Sequence, residues 1–544
     1  MAKPTRYTQE MENKYLSLGY WDKTTLSDLW IKNSREHPDR EAVVDSRKRL
    51  TWAQARIWIE RVALALQELG FKKDNVLVVQ LPNCVELCLI RIACERAGII
   101  CMPLLRTLRH AEIEEAVNFA SGLGIILPWR FRDFDYLQMI EEIKPRLPSL
   151  KHVIVAGDEV PEGFLSLEEI SHTPLENRYS KDYLKKTRCQ FNEFSMVLHT
   201  TGTTGFPKFV EFPIPGRVLS GKERARILHM NEEDVVAALG PAAAGPNVLA
   251  HLAAPHVAAK IALLEHFEPE SALKLVEKER ASIVCVVPTI LEMMIRHPAL
   301  NKYDLSSIRY IVSTGASLPY QLGMETENKL KCTIVQEYGS VDSNGFCMHL
   351  PEDLQNIRLL TVGKPVCGAE IKFVDDEGRE VPAGEVGEIM GRGPAMDVAY
   401  FKNLELTWSS WTKDGWFRMG DLGRLDEQGN VIITGRKKDI IIRGGQNIYP
   451  PEIENMLLAH PKVHSVALVG IPDQVMGERA CACIIPREGT TITLLEIVEY
   501  LRSRRSSPYK LPEKLALFKK FPLVGDQKVD KKELVRQVVA MQQS

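Results

Sequence analysis

Alternation between short apolar segments and amphipathic helical segments is the feature that most constrains this chain. Residues 50–70 carry apolar side chains at helical spacing, begin with a threonine cap and stop at Gly70. A strand is predicted at 75–81, a helix at 84–98 and a second strand at 99–105. A strand, a helix and a strand in this order predict a βαβ unit and hence a parallel sheet.

The same alternation returns after residue 280. Strands are predicted at 282–287, 308–313 and 333–336, and a helix at 288–296. We therefore expect an α/β fold with two stacked α/β sheet units before about residue 350.

The pattern of apolar and turn residues changes beyond residue 350. Residues 363–393 alternate short strand-like runs with glycine and aspartate turns, which predicts a small antiparallel barrel or sheet. The last 105 residues or so have a compact pattern of their own. Its helices are predicted at 451–460 and 494–504, and its strands at 463–469 and 480–485.

A chain of 544 residues is too long for a single hydrophobic core, so several domains are expected. We place the main boundary at residues 435–439. The predicted division is an N-terminal domain of residues 1–437, which would hold the two α/β units and the small barrel, and a small α+β C-terminal domain of residues 438–544.

Charge and composition exclude several classes of partner. The net charge of −2 gives no electrostatic case for nucleic acid. Histidine, proline and lysine residues interrupt the most apolar region, 248–267, so no stable membrane insertion is expected. Eleven cysteines without a C-x-x-C pair, together with a polar N-terminus, favour a cytoplasmic protein without structural zinc. A homodimer is left open.

A loop rich in threonine and glycine follows a strand predicted at 194–198. Glycines let a loop curl tightly, and curled loops point backbone N–H groups into a concave anion site. Threonine hydroxyls add donors, and lysine adds a charge suited to phosphate. The spacing differs from that of a Walker A loop, so a P-loop kinase is not supported, and an ordinary turn is the alternative. The residues concerned are Thr200, Thr201, Gly202, Thr203, Thr204, Gly205 and Lys208.

Four further stretches follow in order: STGAS at 313–317, QEYG at 336–339, GDLG at 420–423, and a run from 435 to 454 that begins GRKKD. Together with the threonine-rich loop they resemble the adenylate-forming superfamily. That family contains acyl- and aryl-CoA synthetases, aryl-acid adenylating enzymes, nonribosomal-peptide adenylation domains and firefly luciferase. The resemblance covers nearly the whole chain, and it implies ATP chemistry and a mobile C-terminal domain.

The resemblance implies a role for each matching residue in nucleotide binding. The threonine-rich loop would contact the β- and γ-phosphates. Tyr338 would stack on the adenine, Asp421 would accept hydrogen bonds from both ribose hydroxyls, and Arg436 would lie near ribose and phosphate. A buried core tyrosine, a capping aspartate and a surface ion pair are the structural alternatives. The complete predicted adenine and ribose set is Gly315, Ala316, Ser317, Gln336, Glu337, Tyr338, Gly339, Asp421 and Arg436.

Two positions depart from the family pattern. Lys528 matches a lysine that reaches the substrate carboxylate and the α-phosphate, where a cation stabilises developing charge. It follows Gly-Asp-Gln instead of Thr/Ser-Gly, so Lys531 and Lys532 are alternatives. Asp342 stands where the family has a glutamate that binds magnesium, and it is one methylene shorter. A plain surface aspartate is the alternative at this position.

The segment predicted to hold the acid carries neither the aspartate of amino-acid-activating relatives nor the histidine of many acyl and aryl relatives. This favours an apolar, uncharged acyl group, and small residues would leave space for a ring or a branched chain. They equally permit close backbone packing. The predicted acyl pocket consists of Ala243, Ala244, Gly245, Gly315 and Gly339.

The resemblance implies a two-step reaction with ATP, magnesium and coenzyme A. A carboxylic acid would be adenylated and then passed to the coenzyme A thiol. The C-terminal domain would turn about Lys438, and the pantetheine path would run along Arg443, Gly444 and Gly445. Three alternatives are an enzyme that loads a carrier protein, a catalytically weak nucleotide-binding regulator, and a luciferase-like monooxygenase. No specific residue supports the monooxygenase.

Overall fold

The computed structural model describes residues 3–199, 208–240, 249–341, 343–396, 399–444, 446–504, 506–524 and 528–543. The side chains of residues 524, 528, 542 and 543 lie outside this description. The α-helices in these ranges are Gln9–Ser17, Leu26–Glu36, Trp52–Glu68, Val85–Ala97, His110–Ala120, Tyr136–Ile143, Leu167–His172, Tyr183–Thr187, Ile214–Ile227, Pro269–Glu279, Pro288–Ile295, Tyr320–Leu330, Gln355–Leu360, Leu404–Ser409, Pro450–Leu458, Leu494–Ser503 and Lys531–Gln543.

The largest sheet has nine strands, and its six central strands are parallel to one another. Antiparallel strands close it at both edges. The parallel strands are short and buried, as expected where helices cover both faces. In spatial order the strands are Lys364–Pro365, Asn344–Met348, Thr333–Ser340, Tyr310–Thr314, Ile283–Val286, Val235–Ala238, Lys260–Leu263, Glu41–Val44 and Arg49–Thr51.

The second sheet has seven strands, of which all but one edge strand are parallel. The antiparallel edge strand is Phe209–Pro213. It pairs with the strand that precedes the threonine-rich loop. In spatial order the strands are Phe209–Pro213, Phe194–His199, Ile100–Pro103, Val76–Val79, Gly124–Pro128, His152–Ala156 and Leu165–Ser166. A separate two-stranded ribbon pairs Arg130–Phe131 with Phe134–Asp135.

Helices lie between and outside the two large sheets. One buried apolar cluster joins side chains of both sheets with the helices Trp52–Glu68 and Val85–Ala97. A second cluster covers the outer face of the nine-stranded sheet, and a third covers the outer face of the seven-stranded sheet. The two α/β units are therefore stacked, as the sequence predicted.

A four-stranded antiparallel sheet follows the two α/β units. Its strands are Glu370–Val374, Gly387–Arg392, Phe417–Leu425 and Val431–Arg436. The strand-like runs and turns of this region therefore form a sheet, the second of the two architectures that the sequence predicted.

The C-terminal part has a five-stranded sheet and its own apolar core. The chain leaves the four-stranded sheet at Arg436, makes one 3-10 turn and enters this sheet at Ile441. The division at residues 437 and 438 remains a prediction. The strands are Ile441–Arg443, Gln446–Ile448, Val463–Asp473, Gly477–Pro486 and Lys514–Leu517, and a short ribbon pairs Leu523–Val524 with Lys528–Val529.

Local sequence signals explain where individual elements begin and end. Thr51 caps the helix Trp52–Glu68, because its hydroxyl accepts from the Gln54 N–H while the Gln54 side chain accepts from the Thr51 N–H. The helix Val85–Ala97 ends at Gly98, which has a φ of 74°. The strands on either side of that helix pair in parallel, which confirms the predicted βαβ unit.

All eleven cysteines lie in described parts of the chain, where they are buried and unpaired with one another as disulfides. Cys481 and Cys483 pack into the core of the C-terminal part, which agrees with their expected role as small apolar residues. No helix of the described ranges is both long and apolar enough to cross a membrane.

Candidate active site

Two of the predicted nucleotide segments meet at one edge of the nine-stranded sheet. The strand Tyr310–Thr314 lies parallel to Thr333–Ser340, with Thr314 opposite Glu337. Both strands end at this edge, where ligands of open α/β sheets are usually bound. The segment 315–317 is exposed just beyond the first strand end, and Tyr338 lies near the end of the second.

Three predicted residues from separate elements contact one another. The Tyr338 hydroxyl donates a 2.7 Å hydrogen bond to Oδ2 of Asp421. Arg436 Nε lies 3.2 Å from Oδ1 of the same carboxylate, because Asp421 and Arg436 are paired on adjacent strands. Burial and the negative charge of Asp421 raise the pKa of Tyr338 well above its usual value, so the hydroxyl remains a donor. The nine-stranded and four-stranded sheets thus join at this point.

Two other predicted residues turn away from this cluster. The Gln336 amide donates to the backbone carbonyls of Arg358, at 2.7 Å, and Thr361, at 2.9 Å. The Glu337 carboxylate forms an ion pair with Arg224, and the side chains of both residues are less than a tenth exposed. Gln336 and Glu337 therefore form contacts within the protein and do not join the cluster of Tyr338, Asp421 and Arg436.

Arg224 is a residue that the sequence analysis missed. It lies on the helix Ile214–Ile227, which follows the strand Phe209–Pro213. Its guanidinium also donates to the carbonyls of Ser220, at 3.0 Å, and Gly345, at 3.3 Å. Its partner Glu337 is 113 positions away, so no local pattern could have revealed the pair.

Two glycines of the predicted pocket have backbone reasons to be glycine. Gly315 has a φ of 83°, a left-handed conformation that other residues rarely adopt. A Cβ on Gly339 would overlap the carbonyl oxygen of Asn344 on the paired strand. At Gly339, therefore, close packing of the backbone against the paired strand requires a residue without a side chain.

The described residues on both sides of the predicted phosphate loop have side-chain contacts. His199, the last residue of the preceding strand, accepts a 3.2 Å hydrogen bond from the Leu105 N–H through Nε2. Lys208, on the far side of the loop, places Nζ 5.1 Å from the centre of the Tyr400 ring. The residues on either side of the predicted loop therefore belong to, or directly precede, two paired strands of the seven-stranded sheet.

Several predicted residues lie outside the described part of the chain. Asp342, the predicted magnesium ligand, is among them. Within the described ranges, no group of three or more His, Cys, Asp or Glu side chains could hold a metal ion. The other predicted site residues outside the described ranges are Thr200, Thr201, Gly202, Thr203, Thr204, Gly205, Ala243, Ala244, Gly245 and Gly445.

The sequence profile of the AMP-binding enzyme matches residues 30–401, and that of the AMP-binding enzyme C-terminal domain matches residues 452–528. The chain belongs to the AMP-binding enzyme family. It is thus a member of the adenylate-forming superfamily, and it catalyses the ATP-dependent adenylation of a carboxylic acid.

Curated relatives of this AMP-binding enzyme align over almost its full length. It is 30% identical over 536 residues to the 2,3-dihydroxybenzoate-AMP ligase of Bacillus subtilis (strain 168), covering 97% of this chain and 96% of the relative. It is also 30% identical over 535 residues to the medium-chain fatty-acid–CoA ligase of Escherichia coli (strain K12), covering 96% and 92%.

The fold of the AMP-binding enzyme also matches solved structures. The anthranilate CoA ligase AuaEII, solved in complex with anthranoyl-AMP, superimposes with a TM-score of 0.86 at 22% identity. The match covers 95% of this chain and 98% of that structure. The large N-terminal part with two α/β sheets, and the small α+β C-terminal part, are those of the family.

The predicted hinge of the AMP-binding enzyme lies in the 3-10 turn Lys437–Asp439. Partial burial and the positive charge of Arg436 lower the pKa of Lys438. Lys437, its neighbour, lies 3.0 Å from carboxylate oxygens of both Glu388 and Asp376. Through Lys437, the turn therefore forms ion pairs with residues of the N-terminal part.

The C-terminal lysines of the AMP-binding enzyme differ in their surroundings. The backbone of Lys528 belongs to the short strand Lys528–Val529. Lys531 Nζ lies 2.6 Å from a carboxylate oxygen of Glu454 and donates to the Leu468 carbonyl at 3.3 Å. Lys531 thus has its partners within the C-terminal part, and the choice between Lys528 and its alternatives Lys531 and Lys532 stays a prediction.

The predicted coenzyme A path also has internal contacts. Arg443 donates to both carboxylate oxygens of Glu513, at 2.6 and 2.8 Å, and Glu513 accepts from Arg479 at 2.7 Å. Gly444 has a φ of 55°, and a Cβ there would lie 2.7 Å from the end of the Met476 side chain. The backbone at Gly444 therefore packs closely against Met476, and the predicted approach of pantetheine at this glycine stays a prediction.

Proposed function

We propose that this AMP-binding enzyme is an acyl-CoA synthetase that works in two half-reactions. In the first, a carboxylate oxygen of the acid attacks the α-phosphorus of ATP, and the bond to the β-phosphate breaks to release pyrophosphate. In the second, the sulfur of coenzyme A attacks the acyl carbon. The acyl–oxygen bond breaks, AMP leaves, and the thiol proton is lost to solvent.

The contact between Tyr338, Asp421 and Arg436 is the observation that carries this proposal. It lies at the carboxyl edge of the parallel strands, beside the exposed segment 315–317. An aromatic ring offers a face for a base, and a carboxylate can accept hydrogen bonds from two ribose hydroxyls. The arrangement supports a nucleoside bound between the two sheets.

The remaining steps rest on electrostatics. The threonine-rich loop and Lys208 would hold the outer phosphates, since backbone and hydroxyl donors and a lysine suit phosphate oxygens. Lys528 would face the α-phosphate, where negative charge builds up as the carboxylate attacks. Magnesium would neutralise phosphate charge when bound, with Asp342 as the residue that serves it.

Coenzyme A is the proposed acceptor, and a carrier protein is the second candidate. The E. coli relative is named for a coenzyme A thioester, whereas the B. subtilis relative is named only for its adenylate. Both are 30% identical to this chain, so their identity favours neither acceptor. A catalytically weak regulator is a third candidate, prompted by Asp342 and by the altered residues before Lys528.

The proposed acid is apolar and uncharged apart from its carboxylate, with a ring or an alkyl chain. The absence of an aspartate and a histidine at the predicted acyl segment supports this. The E. coli relative is named for medium-chain fatty acids, which fit this class, whereas the B. subtilis relative is named for 2,3-dihydroxybenzoate, a ring acid that carries two polar hydroxyls. Both types of acid belong in the first panel of substrates.

A pyrophosphate-release assay tests the proposal, with and without coenzyme A, over benzoates, branched acids and medium-chain acids. Mass spectrometry of the products detects acyl-adenylate and thioester separately. We expect pyrophosphate release with at least one class of acid and a thioester only when coenzyme A is present. Pyrophosphate without a coenzyme A thioester would favour carrier loading, and no pyrophosphate with any acid would favour the regulator.

A further inference from the structure

A concave pocket of about 450 Å³ lies in the N-terminal part. Its lining comes from three helices, Leu26–Glu36, Trp52–Glu68 and Val85–Ala97, and from residues 181–190. None of its lining residues belongs to the predicted ATP, acyl or coenzyme A sites. Seven of them are lysine or arginine and three are aspartate or glutamate, so positive charge predominates.

All three carboxylates of this pocket already have cationic partners. Asp28 pairs with Arg188 through one oxygen and caps its own helix with the other. Glu60 accepts from Arg56 at 3.2 Å. The third, Glu36, lies 3.6 Å from a lysine one turn earlier. The pocket therefore has no carboxylate left to balance its other cations.

Two cationic side chains at the rim of the pocket form no ion pair with a carboxylate of the described residues. Arg35 and Lys181 are exposed, and neither forms an ion pair with any residue of the described ranges. A third rim cation, Lys185, pairs at 2.6 Å with Asp182, which does not line the pocket.

Arg96 is the cation that makes this pocket unusual. It lies at the end of the helix Val85–Ala97, and only 4% of its side chain is exposed. Its Nε has no hydrogen-bond partner in the described chain, and its nearest carboxylate oxygen, on Glu60, is 3.9 Å away. Burial lowers the pKa of Arg96, which reflects the cost of holding this charge away from water with only a distant carboxylate beside it.

A bound anion would supply acceptors to the part of the Arg96 guanidinium that lines the pocket, since Nε itself is enclosed by protein. A guanidinium presents donors in a planar fork that matches phosphate and carboxylate oxygens. We propose that this pocket binds a small polyanion, with phosphate or carboxylate groups, at a site separate from the predicted nucleotide site. One anionic group would pair with Arg96, and the rest of its charge would face Arg35 and Lys181.

The size and depth of the pocket favour a small molecule over a protein partner. Its volume falls within the usual range of small-ligand pockets, roughly 300–1,000 Å³. Arg96 lines the pocket although only 4% of its side chain is exposed, so a small anionic group inside the pocket would lie nearer to it than a flat protein surface at the rim.

Equilibrium dialysis of the full chain with radiolabelled pyrophosphate and with citrate tests the proposal. No nucleotide is added, because its own phosphates would compete for the pocket. Any anion bound at the predicted nucleotide site is the part of the binding that all the pocket variants leave unchanged. We expect binding of at least one anion, weakened about tenfold or more in Arg35→Gln/Lys181→Gln, because each change removes a charged partner. Both residues are exposed, so this variant should fold. Tighter binding of pyrophosphate would assign phosphate groups to the ligand, and tighter binding of citrate would assign carboxylate groups.

The matched control is Lys151→Gln/Lys302→Gln, which removes the same charge from exposed positions outside the pocket. It should bind like the unaltered protein. Arg96→Met keeps much of the buried stem and should abolish the part of the binding that belongs to the pocket. The proposal fails if neither anion binds, if Arg35→Gln/Lys181→Gln binds unchanged, or if the control loses as much affinity. Because the readout is binding, it does not depend on the proposed reaction.

Discussion

Tyr338 and Asp421 are 83 positions apart in the chain, and a 2.7 Å hydrogen bond joins them. The first lies at the end of a strand in the nine-stranded sheet, and the second lies in the four-stranded antiparallel sheet. Arg436 holds the other carboxylate oxygen. The proposed base-binding and ribose-binding residues are therefore oriented before a nucleotide binds, which lowers the entropic cost of binding.

Replacing Tyr338 with Phe tests this relationship, because it keeps the ring and removes the hydrogen bond to Asp421. A hydrogen bond to a charged group contributes about 1.5–3 kcal/mol, so the Kd for AMP should rise about tenfold or more. Isothermal titration with AMP measures the change. Tyr338→Ala, which also removes the stacking face, should weaken binding further. Unchanged AMP affinity in Tyr338→Phe would contradict the orienting role.

The buried ion pair between Arg224 and Glu337 should be strongly coupled. Removal of one partner leaves an uncompensated buried charge, so Glu337→Ala should lower the free energy of unfolding by about 3–5 kcal/mol. Arg224→Met is the second single variant, and the double variant Arg224→Met/Glu337→Ala should recover part of this loss. Urea unfolding of both single variants and the double variant measures the coupling. Simple addition of the two losses would contradict it.

An exposed ion pair provides the comparison for the buried pair of Arg224 and Glu337. Arg379 and Asp375 lie 2.8 Å apart, and the arginine side chain is 72% exposed. Exposed pairs contribute about 0–1 kcal/mol, so Asp375→Ala should change the free energy of unfolding far less than Glu337→Ala. A loss of equal size in the two variants would mean that burial of the pair is not the cause.

Gly339→Ala should disrupt the hairpin beside Tyr338, because its Cβ would overlap the Asn344 carbonyl oxygen. We expect a lower urea midpoint together with weaker AMP binding. Gly435→Ala is the control, since a Cβ there would meet only Pro451 and Tyr449 at ordinary contact distances of 3.7 and 3.9 Å. It should leave the urea midpoint almost unchanged. A fully stable Gly339→Ala variant would show that the hairpin can shift to accommodate a methyl group.

Lys528→Ala should impair the first half-reaction selectively. A preorganised donor at developing charge typically changes the rate by about 10²–10³, and the proposed charge develops only during adenylation. The variant should still convert supplied acyl-adenylate to thioester. Lys531→Ala, which removes a pair with Glu454, should leave adenylation nearly intact. Rapid-quench measurement of each half-reaction decides between the two lysines.

Lys438→Pro should have the opposite profile to Lys528→Ala. Proline fixes φ and removes the amide donor, so it should hinder the proposed turn of the C-terminal domain. Adenylate should still form, and thioester formation should stall. Equal losses in both half-reactions for Lys438→Pro would argue against a hinge at this residue.

Asp342→Ala should raise the magnesium concentration needed for half-maximal adenylation, because a carboxylate serves magnesium directly or through water. Asp342→Glu restores the residue that the family carries and should be tolerated. A magnesium titration of pyrophosphate release measures both variants. Identical magnesium dependence in Asp342→Ala and the unaltered enzyme would leave Asp342 as a surface aspartate.

The sequence predicted the elements whose signals are local. The cap at Thr51, the helix predicted at 84–98 and the apolar strand predicted at 75–81 each follow from a few neighbouring residues, and the structure places the helix at Val85–Ala97 and the strand at Val76–Val79. The strand Thr333–Ser340 is longer than the predicted 333–336, because its second half pairs with Asn344–Met348. Such pairing depends on a partner strand that local propensity does not describe.

The sequence alone determined the family, the order of the motifs and the residue types that the chemistry needs. Only the tertiary structure decided where those side chains point. It directs Tyr338 to Asp421, whereas its neighbours Gln336 and Glu337 turn to Arg358 and Arg224. It also leaves Arg96 buried without a hydrogen bond at Nε. The physical reason is that burial, ion pairing and sheet register arise between residues distant in the chain, which no local pattern encodes.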